Sequence, residues 1–76
     1  MVESKRFNNG LIISWGIIKV KKIDKPIRVS LNDVYEKKQM HISVENGYVN
    51  ELTITPSSFE ITPSKKGKIM FFVGGY

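Results

Sequence analysis

The chain has 76 residues and no cysteine, and its 12 lysine and arginine residues outnumber 7 aspartate and glutamate residues, for a formal net charge of +5. A chain of this length forms one domain with a marginal core, and since no disulfide can stabilise it, we expect it to form an oligomer. No apolar run approaches the roughly 20 residues that span a membrane, and residues 1–9 lack the apolar centre of a signal peptide, which predicts a soluble chain without membrane insertion.

The first predicted strand is apolar on both faces. Residues 1–9 are mostly polar, and we interpret them as an entry segment ahead of a domain at residues 10–76. Asn9 and Gly10 form a turn into a strand over residues 11–21. One face of this strand carries Leu11, Ile13, Trp15 and Ile17, and the other carries Ile12, Ser14, Gly16, Ile18 and Val20. Such a strand must be covered on both sides.

Four short strands with one apolar face follow, as in half-buried strands. They are residues 27–31, 40–45, 48–55 and 59–61. Pro26 precedes the first of them, and a loop at residues 32–38, the Asn46-Gly47 turn and Pro56 separate one from the next. The Asn-Gly turn favours a hairpin between the two strands that it joins. Alternation within residues 48–55 predicts that Leu52 and Ile54 lie on the apolar face.

The last strand, residues 68–76, again has two apolar faces. Ile69, Phe71 and Val73 point one way, and Met70, Phe72 and Tyr76 point the other way. We expect the first and last strands to pair and to supply an oligomer interface, because only these two are apolar on both sides. No segment shows a helical period over about ten residues, so the prediction is an all-β fold, a small antiparallel β-sandwich of about six strands.

Eight side chains of the two end strands are predicted to form the core and the subunit interface. They are Leu11, Ile12, Ile13, Trp15, Ile69, Phe71, Phe72 and Tyr76. We expect alanine at Trp15 or Phe71 to destabilise the fold by about 3 to 5 kcal/mol, as truncation of a buried aromatic side chain does.

The two end strands also resemble motifs of a known family. Residues 9–16, Asn-Gly-Leu-Ile-Ile-Ser-Trp-Gly, and residues 71–76, Phe-Phe-Val-Gly-Gly-Tyr, resemble the opening Gly-Leu-Ile-Ile-Gln-Trp-Gly and closing Trp-Ile-Ala-Ile-Gly-Tyr of the carboxy-terminal receptor-binding tip domain of tailed-bacteriophage tail fibres. Ser14, Phe71 and Gly74 depart from those motifs. The resemblance implies a homotrimeric β-sandwich that residues 1–9 link to an upstream fibre shaft. It also implies synthesis in the host cytoplasm and host attachment at the tail fibre tip of the virion.

Candidate receptor contacts lie in polar turns. Tyr35, Lys37, Lys38 and Tyr48 combine aromatic rings with cations at positions that the predicted core does not need. The net positive charge favours an acidic partner. Since the resemblance implies a receptor on the host surface, we expect these four residues to bind a bacterial surface polysaccharide or lipopolysaccharide. The lysines in segments 19–25 and 65–68 are interpreted as solvated charges at strand ends.

Two other classes of protein remain open. A small basic β-barrel that binds nucleic acid needs exposed aromatic rings interleaved with lysines on one strand face, and the sequence lacks this pattern, so nucleic acid is the less favoured partner. An immunoglobulin-like structural or adhesion module fits residues 54–61 but leaves both end motifs unexplained.

Nothing in the sequence predicts an enzyme, a cofactor or a metal site. The chain has one histidine and no cysteine, and it contains neither a Gly-rich phosphate loop nor a Gly-x-Ser-x-Gly motif. Three copies of His41 meeting on a trimer axis would be one route to a metal site. Because a His-x-His spacing is absent, we interpret His41 as a solvated side chain.

Overall fold

The computed structural model describes residues 2–36 and 39–76. It places seven strands there: β1 (Val2–Arg6), β2 (Ile12–Val20), β3 (Ile27–Ser30), β4 (Met40–Val44), β5 (Gly47–Thr55), β6 (Ser58–Pro63) and β7 (Gly67–Gly75). A four-stranded sheet has the order β1-β2-β7-β4 and a three-stranded sheet has the order β3-β6-β5, with every pair antiparallel. The predicted β-sandwich is confirmed, with one strand more than expected. Within these residues, no helix is long and apolar enough to cross a membrane.

The additional strand is β1, which lies in the predicted entry segment. It pairs with β2 along all 5 of its residues. The turn between them is closed by a hydrogen bond from the Gly10 amide to the Phe7 carbonyl oxygen at 3.0 Å. The exposed side chains of β1 are polar, which suits an edge strand because charges there discourage pairing with other chains. Asn9-Gly10 therefore closes a hairpin as well as starting β2.

The first and last predicted strands are neighbours at the centre of the large sheet. β2 and β7 pair along their whole length, from Ile12 opposite Gly75 to Val20 opposite Gly67. This confirms the expectation that the two ends of the chain are partners.

Inward-facing side chains of both sheets form one core. The buried apolar residues are Ile12, Val20, Val29, Tyr35, Phe59, Ile61, Ile69, Phe71 and Val73. Phe59 of the small sheet meets Phe71 of the large sheet edge to face, with ring centroids 5.7 Å apart and planes inclined at 79°. Such a pair stabilises a fold by about 0.5 to 1.5 kcal/mol beyond the burial of its area. It joins the two sheets.

The Asn46-Gly47 turn does not close the predicted hairpin. β4 pairs with β7 and β5 pairs with β6, so the turn carries the chain from one sheet to the other. Asn46 has a φ of 58°, a left-handed conformation in which asparagine is enriched. The hairpin prediction was wrong because an Asn-Gly pair specifies a tight turn, whereas the pairing of the flanking strands depends on the rest of the sheet.

β5 leaves regular pairing with β6 between Asn50 and Thr55. The Thr53 hydroxyl occupies this irregularity: it donates to the Asn50 carbonyl oxygen at 2.6 Å and accepts from the Glu60 amide at 2.9 Å. A bulge of this kind breaks the alternation of side chains. Leu52 is fully exposed as a result, and its predicted place on the apolar face was wrong.

Candidate functional site

The outer face of the four-stranded sheet carries exposed apolar side chains along its two central strands. We call this surface the apolar stripe, and it consists of Leu11, Ile13, Trp15, Ile17, Met70, Phe72 and Tyr76. The exposed fractions are 37% for Trp15, 49% for Ile17, 53% for Met70, 47% for Phe72 and 46% for Tyr76. In a single chain, large apolar side chains therefore remain about half in contact with water.

The stripe follows directly from the two-sided pattern of the end strands. Because successive side chains of a strand alternate between faces, β2 and β7 bury Ile12, Ile69 and Phe71 on the inside and present the stripe outside. Trp15 lies opposite Phe72, at the middle of the paired strands. The prediction that both faces of these strands are apolar is confirmed, and the predicted set divides between the core and the outer face.

Trp15 is not part of the core of a single chain. Its indole Nε1 donates a hydrogen bond to Glu3 Oε2 at 3.0 Å, and the residue is exposed. The expected loss of about 3 to 5 kcal/mol rests on burial of the aromatic ring, which holds for Phe71 but not for Trp15 in a single chain. A strand that is apolar on both sides does not reveal which side the second sheet covers.

Polar side chains flank the stripe on both edge strands. On β1 these are Glu3 and Lys5, and on β4 they are His41 and Ser43, all of them exposed. An apolar centre with a polar margin is the usual composition of a protein–protein interface. The outer face of the sheet has that composition.

A groove crosses the stripe at Gly74, where β7 presents no side chain outward. It has a volume of about 470 Å³. Its apolar side is formed by Leu11, Ile13, Phe72 and Tyr76, and its polar side by Gln39, His41 and Ser43. The shape and lining suit a projecting aliphatic or aromatic side chain. Within residues 2–36 and 39–76, no three His, Cys, Asp or Glu side chains come together as a possible metal site.

Tyr35, predicted as an exposed receptor contact, is buried between the sheets with 2% of its surface exposed. Its hydroxyl donates to the Val73 carbonyl oxygen at 3.5 Å and lies 2.6 Å from the Ser14 hydroxyl. Burial raises the pKa of the Tyr35 phenol, and the Ser14 hydrogen bond opposes that rise. The prediction of a receptor contact was wrong because the ring is inaccessible. The signal for this was Ser14, a polar side chain on an otherwise apolar inner face, where a buried hydroxyl needs a partner.

Among the other predicted receptor contacts, the structure describes Tyr48, which does not join Tyr35 in one site. Lys37 and Lys38 lie outside the described residues. Tyr48 is 58% exposed on β5, opposite Thr62. The preceding residue, Gly47, pairs with Pro63, so the backbone of Tyr48 lies close to segment 64–66. Tyr48 does not share the core position of Tyr35.

Most lysines gather at one end of the sandwich. Because Val20 lies opposite Gly67, segment 21–26, which leaves β2, lies beside segment 64–66, which enters β7. The Asp24 amide donates to the Pro63 carbonyl oxygen at 3.0 Å and holds the two segments together. We call this surface the cationic end, and its lysines are Lys19, Lys21, Lys22, Lys25, Lys65, Lys66 and Lys68. Two clusters that are separate in the sequence are thus one surface in the fold.

The charges of the cationic end are not neutralised by ion pairs. Among the described residues, the ion pairs are Arg6 with Asp33 at 2.9 Å and Arg28 with Glu60 at 3.2 Å, neither of which involves a lysine. Lys19 and Lys68 lie directly opposite each other on adjacent strands. Like charges in that position destabilise a sheet.

The chain matches no family model, and comparison with curated proteins and with solved structures gave no match. What can be inferred about function therefore comes from the apolar stripe, the cationic end and the two end motifs.

Proposed function

We propose that the chain is a homotrimeric attachment module, like those at the tail fibre tips of tailed bacteriophages, and that it binds a bacterial surface polysaccharide or lipopolysaccharide. It acts by binding and not as an enzyme. The observation that carries the proposal is the apolar stripe. The stripe is built largely from residues 9–16 and 71–76, the same segments that resemble the tail fibre tip motifs.

Further copies of the chain are the best cover for the stripe. A domain of 76 residues without cysteine has a marginal core, and oligomerisation is a common source of stability for such domains. Covering a half-exposed apolar side chain contributes roughly 1 kcal/mol, so the whole stripe contributes several kcal/mol, which is comparable to the total stability of a small domain. The polar margins on β1 and β4 would stay at the wet rim of the interface. That the oligomer contains three chains is inferred from the resemblance of the end motifs to tail fibre tips, which are trimers.

Trimer formation supports attachment through avidity. A protein that scans a cell surface needs weak and reversible single contacts, and three linked sites raise the overall affinity without any new contact. A charge of +5 on each chain draws an acidic surface polymer towards the trimer, more strongly at low salt.

Sedimentation equilibrium tests the proposal with a matched pair of variants. The wild type should have three times the 8.7 kDa mass of one chain. Phe72→Gln removes an apolar group from the centre of the stripe and should dissociate the trimer. Leu52→Gln removes a fully exposed apolar group from the other sheet and should leave the trimer intact.

Binding of the same three proteins to a panel of purified bacterial surface polysaccharides tests the second half of the proposal. The wild type and Leu52→Gln should bind at least one polysaccharide, and Phe72→Gln should lose most of that binding with its avidity. A monomeric wild type, or a trimer that survives Phe72→Gln, would exclude the stripe as the interface. A trimer that binds none of the polysaccharides would contradict the attachment role.

A further inference from the structure

We propose that the cationic end binds an acidic polysaccharide, one that carries phosphate or carboxylate groups, and that Tyr48 provides a stacking surface for one of its sugar rings. The biological setting of this inference rests on the proposed attachment function. The surface itself is complete in a single chain, so its binding can be measured whether or not the chain forms a trimer.

Backbone hydrogen bonds hold the segments of the cationic end in place. The Asp24 amide donates to the Pro63 carbonyl oxygen at 3.0 Å, and the Ser64 amide donates to the Asn46 carbonyl oxygen at 2.9 Å. The first bond links segment 21–26 to the end of β6, and the second links segment 64–66 to the connection between the sheets. The lysines therefore project from a fixed frame, which lowers the entropy lost when a ligand binds.

The balance of charge at this end favours an anion. Asp24 and Glu45 are the acidic residues in the segments that meet there, against the lysines of the cationic end. Lys19 and Lys68, side by side on β2 and β7, repel each other in the free protein. A phosphate or carboxylate between them replaces that repulsion with attraction, so the ligand should stabilise the folded state that it binds.

Tyr48 adds an exposed ring on the other side of the sandwich from Lys19 and Lys68. It lies on the outer side of the small sheet, opposite Thr62, whose hydroxyl donates to Asn50 Oδ1 at 3.4 Å. An aromatic ring can pack against the apolar face of a sugar while its hydroxyl stays in water. Gly47 pairs with Pro63, so the backbone of Tyr48 lies two residues from the start of segment 64–66, which carries Lys65 and Lys66. A sugar stacked on Tyr48 would therefore present its acidic groups to those lysines.

This arrangement favours a polysaccharide over a nucleic acid. Proteins that bind single strands stack successive bases on several aromatic rings along a basic groove. Segments 21–26 and 64–66 contain no aromatic residue. Trp15, Phe72 and Tyr76 are exposed on the large sheet, in the apolar stripe, which leaves Tyr48 as a single ring near the cationic end.

Binding of the full chain to four immobilised polymers tests the inference. Carboxymethyl dextran and phosphorylated dextran carry the two acidic groups on one backbone, unmodified dextran is the neutral control, and poly(dT) is the nucleic-acid arm. The protein should bind one or both acidic dextrans and not the neutral one, and the affinity should fall between about 0.05 and about 0.3 M NaCl because salt screens the lysines. Which acidic dextran binds more tightly identifies the acidic group.

Two double variants with the same change in net charge locate the site. Lys65→Gln/Lys66→Gln should weaken binding to the acidic dextran about tenfold or more, through the loss of two cations from the site. Lys37→Gln/Lys38→Gln makes the same change in net charge without touching the lysines that define the cationic end, and should weaken binding by no more than about twofold. Tyr48→Leu should weaken binding several-fold while leaving its salt dependence unchanged. Thermal melts show whether each variant is folded.

Three results would overturn the inference: equal losses from the two lysine pairs, tighter binding to poly(dT) than to either acidic dextran, or no binding to acidic dextran. The mass of each sample keeps this test separate from the proposed function. A monomer that still distinguishes the two lysine pairs would support the cationic end and refute the trimer. A trimer whose binding is equally sensitive to both lysine pairs would support the proposed trimer and refute the cationic end as the binding site.

Discussion

Ser14 and Tyr35 form a buried hydrogen bond that ties the loop after β3 to β2. Tyr35→Phe leaves the fully buried Ser14 hydroxyl without this partner, and we expect it to lower the free energy of unfolding by about 1 to 3 kcal/mol. Ser14→Ala should cost a similar amount. The double variant should lose clearly less than the sum, because it removes both hydroxyls of the pair.

Urea unfolding of the four proteins at one protein concentration measures this double-mutant cycle. Additive losses would contradict the coupling and would mean that the two hydroxyls do not depend on each other.

Asp33 connects the same loop to β1. Its carboxylate accepts hydrogen bonds from Arg6 at 2.9 Å and from Ser4 at 3.0 Å. The Arg6 hydrogen bond, followed by the Ser4 hydrogen bond, holds the pKa of Asp33 below its usual value of 3.8. A lowered pKa in the folded state means that the carboxylate stabilises the fold above the usual pKa. This stabilisation is lost as the pH falls through the folded value.

We expect Asp33→Asn to destabilise the protein by about 0.5 to 1 kcal/mol near neutral pH, a small effect because the pair is partly exposed. The difference from the wild type should shrink once the pH falls below 3.8. Thermal melting of the wild type and of Asp33→Asn across the acid pH range measures this difference in stability. A difference that stays constant down to the lowest pH at which both proteins fold would show that the charge of Asp33 is irrelevant.

At the scale of the strands, β7 depends on Gly75, which lies between β2 and β4. A Cβ at this position would collide with the carbonyl oxygen of Gln39, and the φ of 153° is rare for other residues. Gly75→Ala should therefore destabilise the fold by about 1 to 3 kcal/mol. The matched control is Gly74→Ala, whose Cβ would meet only Phe72, at an ordinary 3.5 Å.

Chemical unfolding of both glycine variants tests this contrast. At a protein concentration low enough to keep the chain monomeric, Gly74→Ala should stay within about 0.5 kcal/mol of the wild type. Equal losses from the two variants would show that the approach of β4 to β7 does not require glycine at position 75.

The strands of this fold could be predicted where their pattern is local. Alternation along β2 and β7 identifies both apolar faces, because the period of a strand is a property of neighbouring residues. Which face becomes the core depends on contacts between residues that are distant in the sequence, such as Phe59 with Phe71. The alternation within one strand carries no information about such contacts. For the same reason the sequence placed Trp15 in the combined set of core and interface residues without showing that it lies on the outer face.

The candidate site could be predicted less well than the strands. The burial of Tyr35 follows from the path of a loop across the end of the sandwich, and loop composition does not specify that path. The cationic end forms because β2 and β7 pair in a register that brings Lys19 and Lys68 together from distant parts of the sequence. The lysines could be identified from the sequence. That they share one end of the fold could be seen only from the pairing of β2 with β7.

At the scale of the whole molecule, the apolar stripe and the cationic end are continuous. Lys19 and Lys68 follow Ile17 and Met70 along the same outer face of the large sheet. In the proposed trimer, copies packed through their stripes would bring their lysines to the same end of the assembly. An acidic polymer would then meet three cationic ends at once, which raises its avidity and also reduces the repulsion between the copies.

Trp15 reports on the stripe directly, because it is the single tryptophan of the chain and is partly exposed on that surface. Its fluorescence emission and its quenching by acrylamide can be measured against protein concentration, beside the mass of the same samples. As the mass rises to that of three chains, the emission should shift to the blue and quenching should decrease, and both changes should reverse on dilution. In Phe72→Gln, Trp15 should stay accessible at every concentration. A trimer in which Trp15 is quenched as readily as in the monomer would contradict the apolar stripe as the surface through which the chain assembles.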